Sequence, residues 1–589
     1  MRPETSRRTF VKGLAATGIL GGLGLWRTPV WAITSPGEAN VLAGTDFDLF
    51  IGETPVNITG NRRTAMTING GIPGPLLRWR EGDTVTLRVR NRLNADTSIH
   101  WHGILLPANM DGVPGLSFHG IEPGGMYVYQ FKVRQNGTYW YHSHSGLQEQ
   151  SGVYGPLVID AKEPEPFEYD RDYVVMLTDW TDEDAVDLMK TLKKQSDYYN
   201  YNKRTVGDFI HDVSEKGWGS TVADRKMWAE MKMNPTDLAD VSGATYTYLM
   251  NGQAPDMNWT GVFRPGEKLR LRFINGSAMT YFDVRIPGLK MTVVAADGLH
   301  VKPVSVDEFR IAVAETFDVI VEPTQDAYTL FAQSMDRTGY ARGTLAAKVG
   351  LSAPIPPLDP RPLVTMDDMG MGGMDHGSMA GDMAGMDHSQ MTGMDHSSMQ
   401  GMAGMDHSGM TGMGEMQSHP ASENNNPLVD MQAMTTSPKL DDPGLGLRDN
   451  GRRVLTYSDL RSTFADPDGR DPGRTVELHL TGHMEKFAWS FNGVKFSDAE
   501  PLRLKYGERI RIVLVNDTMM THPIHLHGMW SDLEDANGEF MVRKHTIDMP
   551  PGSRRSYRVT ADALGRWAYH CHLLYHMEMG MFREVRVEE

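Results

Sequence analysis

Eight histidines in four His-x-His pairs are the residues of this sequence that point most directly to chemistry. The pairs are His100 and His102, His142 and His144, His525 and His527, and His570 and His572. On a β-strand, residues i and i+2 project from one face, so each pair would present two imidazoles to the same side. Neutral imidazole is the usual ligand of copper, zinc, iron and nickel. One pair alone also fits a polar strand face, but four pairs together predict a metal cluster.

A second set of candidate ligands lies among the later pairs. Its members are His522, Cys571, His576 and Met581. Two imidazoles, a thiolate and a weak axial thioether are the ligands of a blue-copper electron-transfer site. Cys571 lies between two histidines of one pair, so on a strand its side chain would point to the opposite face. The sequence therefore predicts a copper on one side of the strand and the cluster on the other; the alternative is a buried, inert thiol.

Three repeated segments indicate the elements that must position these residues. Residues 81–93 (EGDTVTLRVRNRL), 265–277 (PGEKLRLRFINGS) and 506–518 (YGERIRIVLVNDT) each have Gly, an acid and then alternating apolar residues. A period of two predicts a strand with one buried face. Repetition at domain-scale separation predicts three related β-domains. Turn residues between short strands favour antiparallel sandwiches.

The histidines occupy matching positions in the first and third of these repeats. Each repeat has an Asn near its end: Asn91, Asn275 and Asn516. Nine and eleven residues after this Asn, the first and third repeats have histidines, whereas the second has Val284 and Ile286. Aligning the later strands from Gly137 and Gly565 matches the remaining two pairs to each other. Two related domains are therefore expected to enclose the cluster between them. Only the third carries the blue-copper set.

Composition limits the class of protein. The chain has 589 residues, 40% apolar and 23% charged, with a net charge of −17, which is typical of a globular protein and argues against a nucleic-acid partner. The longest apolar run has 14 residues, too few for a membrane span in the mature protein. One cysteine excludes a disulfide framework or a Cys-rich zinc or iron–sulfur site. Forty methionines indicate soft-metal chemistry.

The N-terminus has the features of an export signal. Residues 6–12 read SRRTFVK, an uncharged segment follows, and Ala32 ends a small-residue cleavage site. This order predicts a twin-arginine signal over residues 1–32 and a periplasmic protein. The alternative is a chance arginine pair beside a short apolar helix.

A methionine-rich segment precedes the third repeat. Residues 366–416 contain 15 methionines, and MDH recurs at 374, 386, 394 and 405. Between Arg361 and Lys439 the sequence has neither lysine nor arginine. This composition predicts a segment without a fixed fold. Thioether selects Cu(I), and imidazole binds both copper states, so we expect additional copper ions on the repeats; the alternative is a simple linker.

The motifs resemble those of a known family. HWHG at 100–103, HSH at 142–144, HPIHLHG at 522–528 and HCHLLYHMEMGM at 570–581 resemble the four copper motifs of multicopper oxidases. With the export signal and the Met/Asp/His repeats, the chain resembles the periplasmic copper-resistance protein A family. The resemblance implies an all-β fold of three cupredoxin-like Greek-key β-sandwich domains. The expected divisions are a signal at 1–32, domain 1 at 45–165, domain 2 at 166–355 with a partly helical insert at about 185–240, a disordered Met-rich copper-binding segment at 356–445, and domain 3 at 446–589.

The resemblance also implies four copper ions and their ligands. His522, Cys571, His576 and Met581 would hold one type 1 copper; His100 and His525 one type 2; and His102, His142, His144, His527, His570 and His572 the two type 3 ions. The implied activity is oxidation of Cu(I) to Cu(II), and of phenols, with reduction of O2 to water, in copper resistance. Candidate partners are copper itself, O2 and periplasmic copper-binding proteins.

One position departs from the family, and two other functions stay open. Some bacterial members have an acid just before the second type 1 histidine, where this chain has Tyr575. Asp111 matches the other acid of such proton relays and is, with Cys571, a candidate catalytic residue; it is equally a turn residue before Gly112. Methionines around HPIHLHG favour a cuprous substrate, although core packing also explains them. The alternatives are a copper-sequestering protein with secondary oxidase activity and a general phenol-oxidising laccase.

Overall fold

The computed structural model describes residues 40–372 and 415–589. The predicted signal and most of the Met-rich repeats lie outside the described residues. Three β-sandwiches follow one another along the described chain, which confirms the predicted all-β fold class. The first contains β1 Val41–Ala43, β2 Asp46–Asn57, β3 Arg62–Ile68, β4 Leu76–Arg80, β5 Thr84–Asn91, β6 His100–His102, β7 Met126–Lys132, β8 Gly137–His142 and β9 Tyr154–Asp160.

The second sandwich contains three helices in addition to its strands. Its strands are β10 Arg171–Thr181, β11 Tyr246–Met250, β12 Trp259–Val262, β13 Leu269–Asn275, β14 Phe282–Arg285, β15 Met291–Ala296, β16 Leu299–Val306, β17 Glu308–Ile311, β18 Thr316–Val321, β19 Ala327–Ser334 and β20 Tyr340–Ala346. The helices α1 Ala185–Lys194, α2 Val206–Lys216 and α3 Trp218–Met231 lie in the expected insert. Asp184 caps α1, and Thr205 with Asp208 forms a capping box on α2, so both helix starts are fixed locally.

A two-stranded ribbon precedes the third sandwich. The ribbon is β21 Glu415–Met416 and β22 Thr435–Thr436. The third sandwich contains β23 Arg474–His483, β24 Ala488–Phe491, β25 Leu502–Lys505, β26 Arg509–Asn516, β27 His522–Leu526, β28 Ser531–Glu534, β29 Phe540–Lys544, β30 Thr546–Met549, β31 Arg554–Thr560, β32 Gly565–Cys571, the short helix α4 Leu574–Glu578, and β33 Phe582–Glu588. None of the helices in the described part of the chain is long and apolar enough to cross a membrane.

Sheet topology is shared between the second and third sandwiches. The six-stranded sheets have the orders β11-β10-β13-β18-β15-β16 and β24-β23-β26-β31-β28-β29, and the five-stranded sheets β12-β20-β19-β14-β17 and β25-β33-β32-β27-β30. The first sandwich is smaller, with the orders β3-β2-β5-β7 and β1-β4-β9-β8-β6. The repeated segments form β5, β13 and β26, and their alternating apolar residues are buried, as predicted.

Two of these strands, β13 and β26, bury most of both faces, which the alternation did not predict. In β13 the polar-face residues Arg270 and Arg272 are also buried. Arg270 binds Asp318 at 2.6 Å, and Arg272 reaches Thr138 of the first sandwich at 3.1 Å. Paired charges can be buried, so this face joins two sandwiches instead of facing solvent.

The beginning of the Met-rich segment is packed into the fold. Met369 is fully buried, and Asp368 binds Arg448 at 2.6 Å. The carbonyl of Gly370 accepts hydrogen bonds from the amides of Met434 and Thr435. Residues 366–371 are therefore structural, in contrast to the expectation that the whole segment lacks a fixed fold.

Candidate metal centre

Two antiparallel strand pairs carry the imidazoles: β6 with β8 in the first sandwich, and β27 with β32 in the third. His100 lies opposite His142, and His525 lies opposite His570. In the second sandwich the equivalent pair is β14 with β19, where Val284 lies opposite Ala332. The middle sandwich thus has apolar side chains where the other two have imidazoles.

The structure brings the eight imidazoles together in three groups between the first and third sandwiches, the first two of which share His102. The groups are His100, His102 and His525; His102, His142 and His572; and His144, His527 and His570. Within each group the candidate ligand atoms lie within 4.8 Å of one another. Every group takes residues from both sandwiches, so the cluster requires contact between them.

Hydrogen bonds determine which ring nitrogen faces the centre of the cluster. His527 Nδ1 donates to Asp111 Oδ2 at 2.8 Å, and His570 Nδ1 donates to the carbonyl of Cys571 at 2.8 Å. In the neutral rings, the Nε2 atoms then carry the lone pairs. These Nε2 atoms are 3.1 Å apart. Two lone pairs at that distance repel unless a cation lies near both, so this pair fits a bound metal.

The first group has the same arrangement. His100 Nδ1 donates to the carbonyl of Asp111 at 2.8 Å, and His525 Nδ1 donates to the carbonyl of His545 at 2.6 Å. The Nε2 atoms of His100 and His525 have no hydrogen-bond partner among the described residues. Leaving a buried polar nitrogen unpaired costs about 1–3 kcal/mol, so these atoms also fit metal ligands. A hydrogen bond from the other ring nitrogen is the usual support of a metal-binding imidazole.

Burial favours the neutral form of seven imidazoles in the cluster. Desolvation, followed by repulsion from neighbouring imidazoles, lowers the pKa of the following residues well below the ordinary value: His102, His142, His144, His525, His527 and His572. Desolvation also lowers the pKa of His570 to about 3. The neutral ring is the form that binds a metal, so the cluster favours metal over protons at neutral pH.

His522, Cys571 and His576 form a separate group in the third sandwich. Cys571 Sγ lies 3.5 Å from His522 Nδ1 and 3.9 Å from His576 Nδ1. His522 Nε2 donates to Thr518 Oγ1 at 2.7 Å, and His576 Nε2 donates to Asp240 Oδ2 at 2.7 Å. Both Nδ1 lone pairs therefore face the sulfur. Burial raises the pKa of the Cys571 thiol well above its ordinary value, so the thiolate form requires a cation beside it.

Backbone hydrogen bonds connect Met581 to Cys571 and His576. Met581 is fully buried; its carbonyl accepts from the Cys571 amide, and its amide donates to the His576 carbonyl, both at 3.1 Å. His570 and His572, on either side of Cys571 in sequence, belong to the imidazole cluster. The two groups therefore lie on opposite faces of one strand, a single residue apart along the backbone.

Asp111 contacts the imidazole cluster, but Tyr575 does not take the place of a second acid there. Asp111 directly follows the 3₁₀ turn Ala108–Met110 and is buried. Its Oδ2 accepts from His527, while Oδ1 lies 3.3 Å from His100 Nδ1 and has no hydrogen-bond partner in the described structure. The Tyr575 hydroxyl donates to Gln150 Oε1 at 3.4 Å, and burial raises its pKa well above the ordinary value.

Three further residues at the site were missed by the sequence analysis. Glu149 Oε2 lies 2.6 Å from His142 Nδ1, and His545 Nδ1 lies 3.2 Å from His102 Nε2. Asp240, at the end of the helical insert, is buried, and desolvation raises its pKa to about 8. Glu149 directly follows Gln148, which aligns with His576. This position beside an aligned ligand was the one sequence feature that could have pointed to Glu149. Asp240 and His545 belong to no motif.

The His522–Cys571–His576 group is closed to solvent. His576 has 0% exposure. Trp489 stacks on the His576 ring with centroids 3.9 Å apart, and Asp240 occupies the Nε2 edge. Any electron donor must therefore act from outside this cover.

Comparisons with known proteins agree with this geometry. Three family models described as multicopper oxidase match residues 51–164, 171–349 and 469–589. The chain is 80% identical to "Copper resistance protein A homolog" of Pseudomonas syringae pv. tomato and 75% identical to "Copper resistance protein A" of Escherichia coli, in each case over 100% of both chains.

Solved structures share the fold. The crystal structure of Fet3p, described as a multicopper oxidase that functions in iron import, matches with a TM-score of 0.63 at 19% identity, over 93% of this chain and 91% of that chain. At 19% identity this match supports a shared fold only. The family models and the highly similar relatives show that this chain is an oxidase with copper cofactors, and that it belongs to the multicopper oxidases, within the copper resistance protein A family.

Proposed function

We propose that this protein is a periplasmic copper-resistance oxidase that converts Cu(I) to Cu(II) while reducing O2 to water. Relatives at 75–80% identity bear the name copper resistance protein A, which supports the role in resistance. The twin-arginine signal at 1–32 would export the protein. Copper binding by the Met-rich repeats would add to protection; those repeats lie outside the described residues.

In this proposal the ligands divide among four copper ions. His522, Cys571, His576 and Met581 hold type 1 copper; His100 and His525 hold type 2; and His102, His142, His144, His527, His570 and His572 hold the type 3 pair. When bound, copper supplies one-electron transfer and the reduction of dioxygen. Asp111, Glu149 and backbone carbonyls hold the ring nitrogens in the ligating orientation. The backbone of Cys571 connects the two centres.

The closed type 1 group is the observation that carries the choice of Cu(I) over a phenol. Oxidation of a phenol requires a pocket that admits an aromatic ring against the type 1 histidine. Here His576 is fully buried, with Asp240 on its free edge. A second buried carboxylate, Asp237, lies three residues earlier. Cu(I) prefers thioether ligands, and Met577 and Met579, which follow His576 in the chain, are only partly buried.

Asp111 is the residue that we propose to deliver protons to the cluster. It contacts His527 directly, and one of its oxygens has no other partner among the described residues. Reduction of O2 to water consumes protons, and a carboxyl group within hydrogen-bond reach is a suitable donor. Tyr575 is held away from the cluster by its bond to Gln150.

Oxygen uptake with Cu(I) and with a phenol, measured side by side on copper-loaded protein, tests the substrate. We expect uptake with Cu(I) and little with the phenol, and none with Cys571→Ser as the matched control. Rapid phenol oxidation without Cu(I) oxidation would instead identify a laccase. The rate of turnover tests the remaining alternative: a protein that mainly sequesters copper would oxidise Cu(I) slowly, whereas more than four bound coppers are expected in either case.

A further inference from the structure

A second group of metal-ligating side chains lies in and beside the third sandwich, outside the two centres described above. Its members are His419, Glu423, His479 and Asp517, whose ligand atoms lie within 4.8 Å of one another. His419 follows the ribbon strand β21, and Glu423 ends the 3₁₀ turn Ala421–Glu423. His479 is in β23, and Asp517 directly follows β26. Three separate pieces of chain therefore converge on one point.

Both imidazoles of this group turn the same nitrogen towards that point. His419 Nε2 donates to the carbonyl of Ala433 at 3.0 Å, and His479 Nε2 donates to Glu477 Oε1 at 3.2 Å. The lone pairs of the neutral rings then lie on Nδ1. The Nδ1 atoms of His419 and His479 lie 3.2 Å and 2.7 Å from Asp517 Oδ2. Imidazoles supported through their other nitrogen by a carbonyl and a carboxylate are typical of metal sites.

In the neutral rings the converging atoms are all acceptors, so the distance of 2.7 Å between His479 Nδ1 and Asp517 Oδ2 requires either a proton or a cation at this point. Glu423 is 2% exposed, and its Oε1, 3.6 Å from His479 Nδ1, has no hydrogen-bond partner in the described part of the chain. An unpaired carboxylate oxygen aimed into a group of acceptors is costly without a cation. The point therefore attracts either protons or a metal ion.

We propose that His419, Glu423, His479 and Asp517 form an additional divalent-cation site that binds Cu(II). Two imidazole nitrogens and two carboxylates suit Cu(II), which also binds most tightly among the first-row divalent ions, whereas Cu(I) prefers thioether or thiolate. The His419 side chain is 15% exposed and gives the ion an entry path. The site itself is independent of the proposed function, but the choice of Cu(II) over Zn(II) rests on it, because Cu(II) is the proposed product.

The location gives this site a structural consequence. His419 lies at the C-terminal end of the Met-rich segment, while Asp517 is adjacent to Thr518, which holds His522 through its hydroxyl. A bound ion would fix the chain that returns from the repeats against the loop that supports the type 1 group. Asp517 also accepts from the Ala433 amide at 2.8 Å, which ties the same two segments together.

Anomalous diffraction from crystals of the full chain loaded with Cu(II) tests the site without any substitution. We expect a copper peak among the four side chains in addition to those of the catalytic ions. Occupied catalytic positions with no peak at this point would overturn the inference and leave the proposed function intact; the group would then be a network of protonated imidazoles. A peak for Zn(II) but not Cu(II), in crystals soaked with each metal alone, would overturn the metal assignment.

Binding stoichiometry provides the second test. Cu(II) titration against a competing chelator should give one ion fewer for the double variant His419→Gln/His479→Gln than for the parent, with loss of one electron paramagnetic resonance signal showing two nitrogen ligands. The matched control is His483→Gln, whose imidazole in the same strand faces the single carboxylate of Asp430 at 3.7 Å. Equal copper and equal spectra for the parent and the folded double variant would refute the site.

Discussion

Substitution of Asp111 by Asn separates two roles that this carboxylate could have. The amide keeps an oxygen that can accept from His527 Nδ1 at 2.8 Å. Its NH2 group then takes the place of Oδ1, 3.3 Å from His100 Nδ1. His100 Nδ1 already donates to the backbone carbonyl of residue 111, so the substitution need not displace either imidazole. The Asp111→Asn variant would therefore preserve the orientation of both rings but lose the titratable group.

The two roles predict different magnitudes. If Asp111 only positions His527, the loss is the difference between a charge-assisted and a neutral hydrogen bond, about 1 kcal/mol, or roughly fivefold in rate. If Asp111 also delivers protons, the loss includes general acid catalysis, which contributes about 10²–10⁴-fold. We therefore expect reoxidation of the reduced Asp111→Asn protein by O2 to slow by about 100-fold or more.

Stopped-flow absorbance of the blue band measures both halves of the cycle. Bleaching by Cu(I) should be as fast in Asp111→Asn as in the parent, because electron entry through Cys571 needs no proton at the cluster. Recovery of the band on mixing with O2 should be slow. Metal analysis must show equal copper in both proteins. Recovery within about fivefold of the parent rate would refute the proton role and leave Asp111 as a positioning residue.

Three further outcomes are expected. Cys571→Ser should abolish the blue absorption and oxidase activity while near-ultraviolet circular dichroism stays native; a variant that remains blue would contradict the type 1 assignment. Deletion of 373–414 should retain the catalytic coppers but lower the total copper bound in equilibrium dialysis under reducing conditions. Residues 366–372 are kept in this variant because Met369 is buried. An unchanged copper-binding capacity would exclude binding by the repeats. Above pH 8, where Asp240 is ionised, Asp240→Asn should slow bleaching by Cu(I) about 5–150-fold, since a charged hydrogen bond contributes roughly 1–3 kcal/mol. Asp237→Asn, which leaves the bond to His576 intact, should have a small effect; equal rates for parent and Asp240→Asn would contradict electron entry at this edge.

Local sequence patterns predicted the strands and the convergence of the eight imidazoles. Alternation in 81–93, 265–277 and 506–518 is a local property of a half-buried strand, and the matched spacing of the histidines repeats because the sandwiches do. The same spacing indicated that Cys571 and its neighbours face opposite sides. The bond between Asp111 and His527 joins residues 416 positions apart, and only the family resemblance drew attention to that aspartate.

The remaining features depend on contacts between domains, which no local pattern encodes. Asp240 reaches His576 from another sandwich, 336 positions away, and no periodicity links them. Arg270 and Arg272 look like the solvent face of a strand, yet carboxylate partners allow their burial. The additional group was missed for the same reason: His419 and His479 are isolated histidines in sequence and become neighbours only through folding.

The distribution of ligands among the three sandwiches accounts for the substrate proposal. In the middle sandwich the strand pair equivalent to those of the cluster carries Val284 and Ala332, so this domain binds none of the proposed ions there. What it contributes instead is the helical insert, whose C-terminal Asp240 covers His576. Electron transfer falls steeply with distance, so a donor must still approach the covered edge closely. An aromatic ring cannot pass this cover, whereas a single Cu(I) ion can bind the thioethers of Met577 and Met579, which are only partly buried. In the proposed function, the domain that lacks metal ligands at this position would thus limit which reductant can reach the type 1 group.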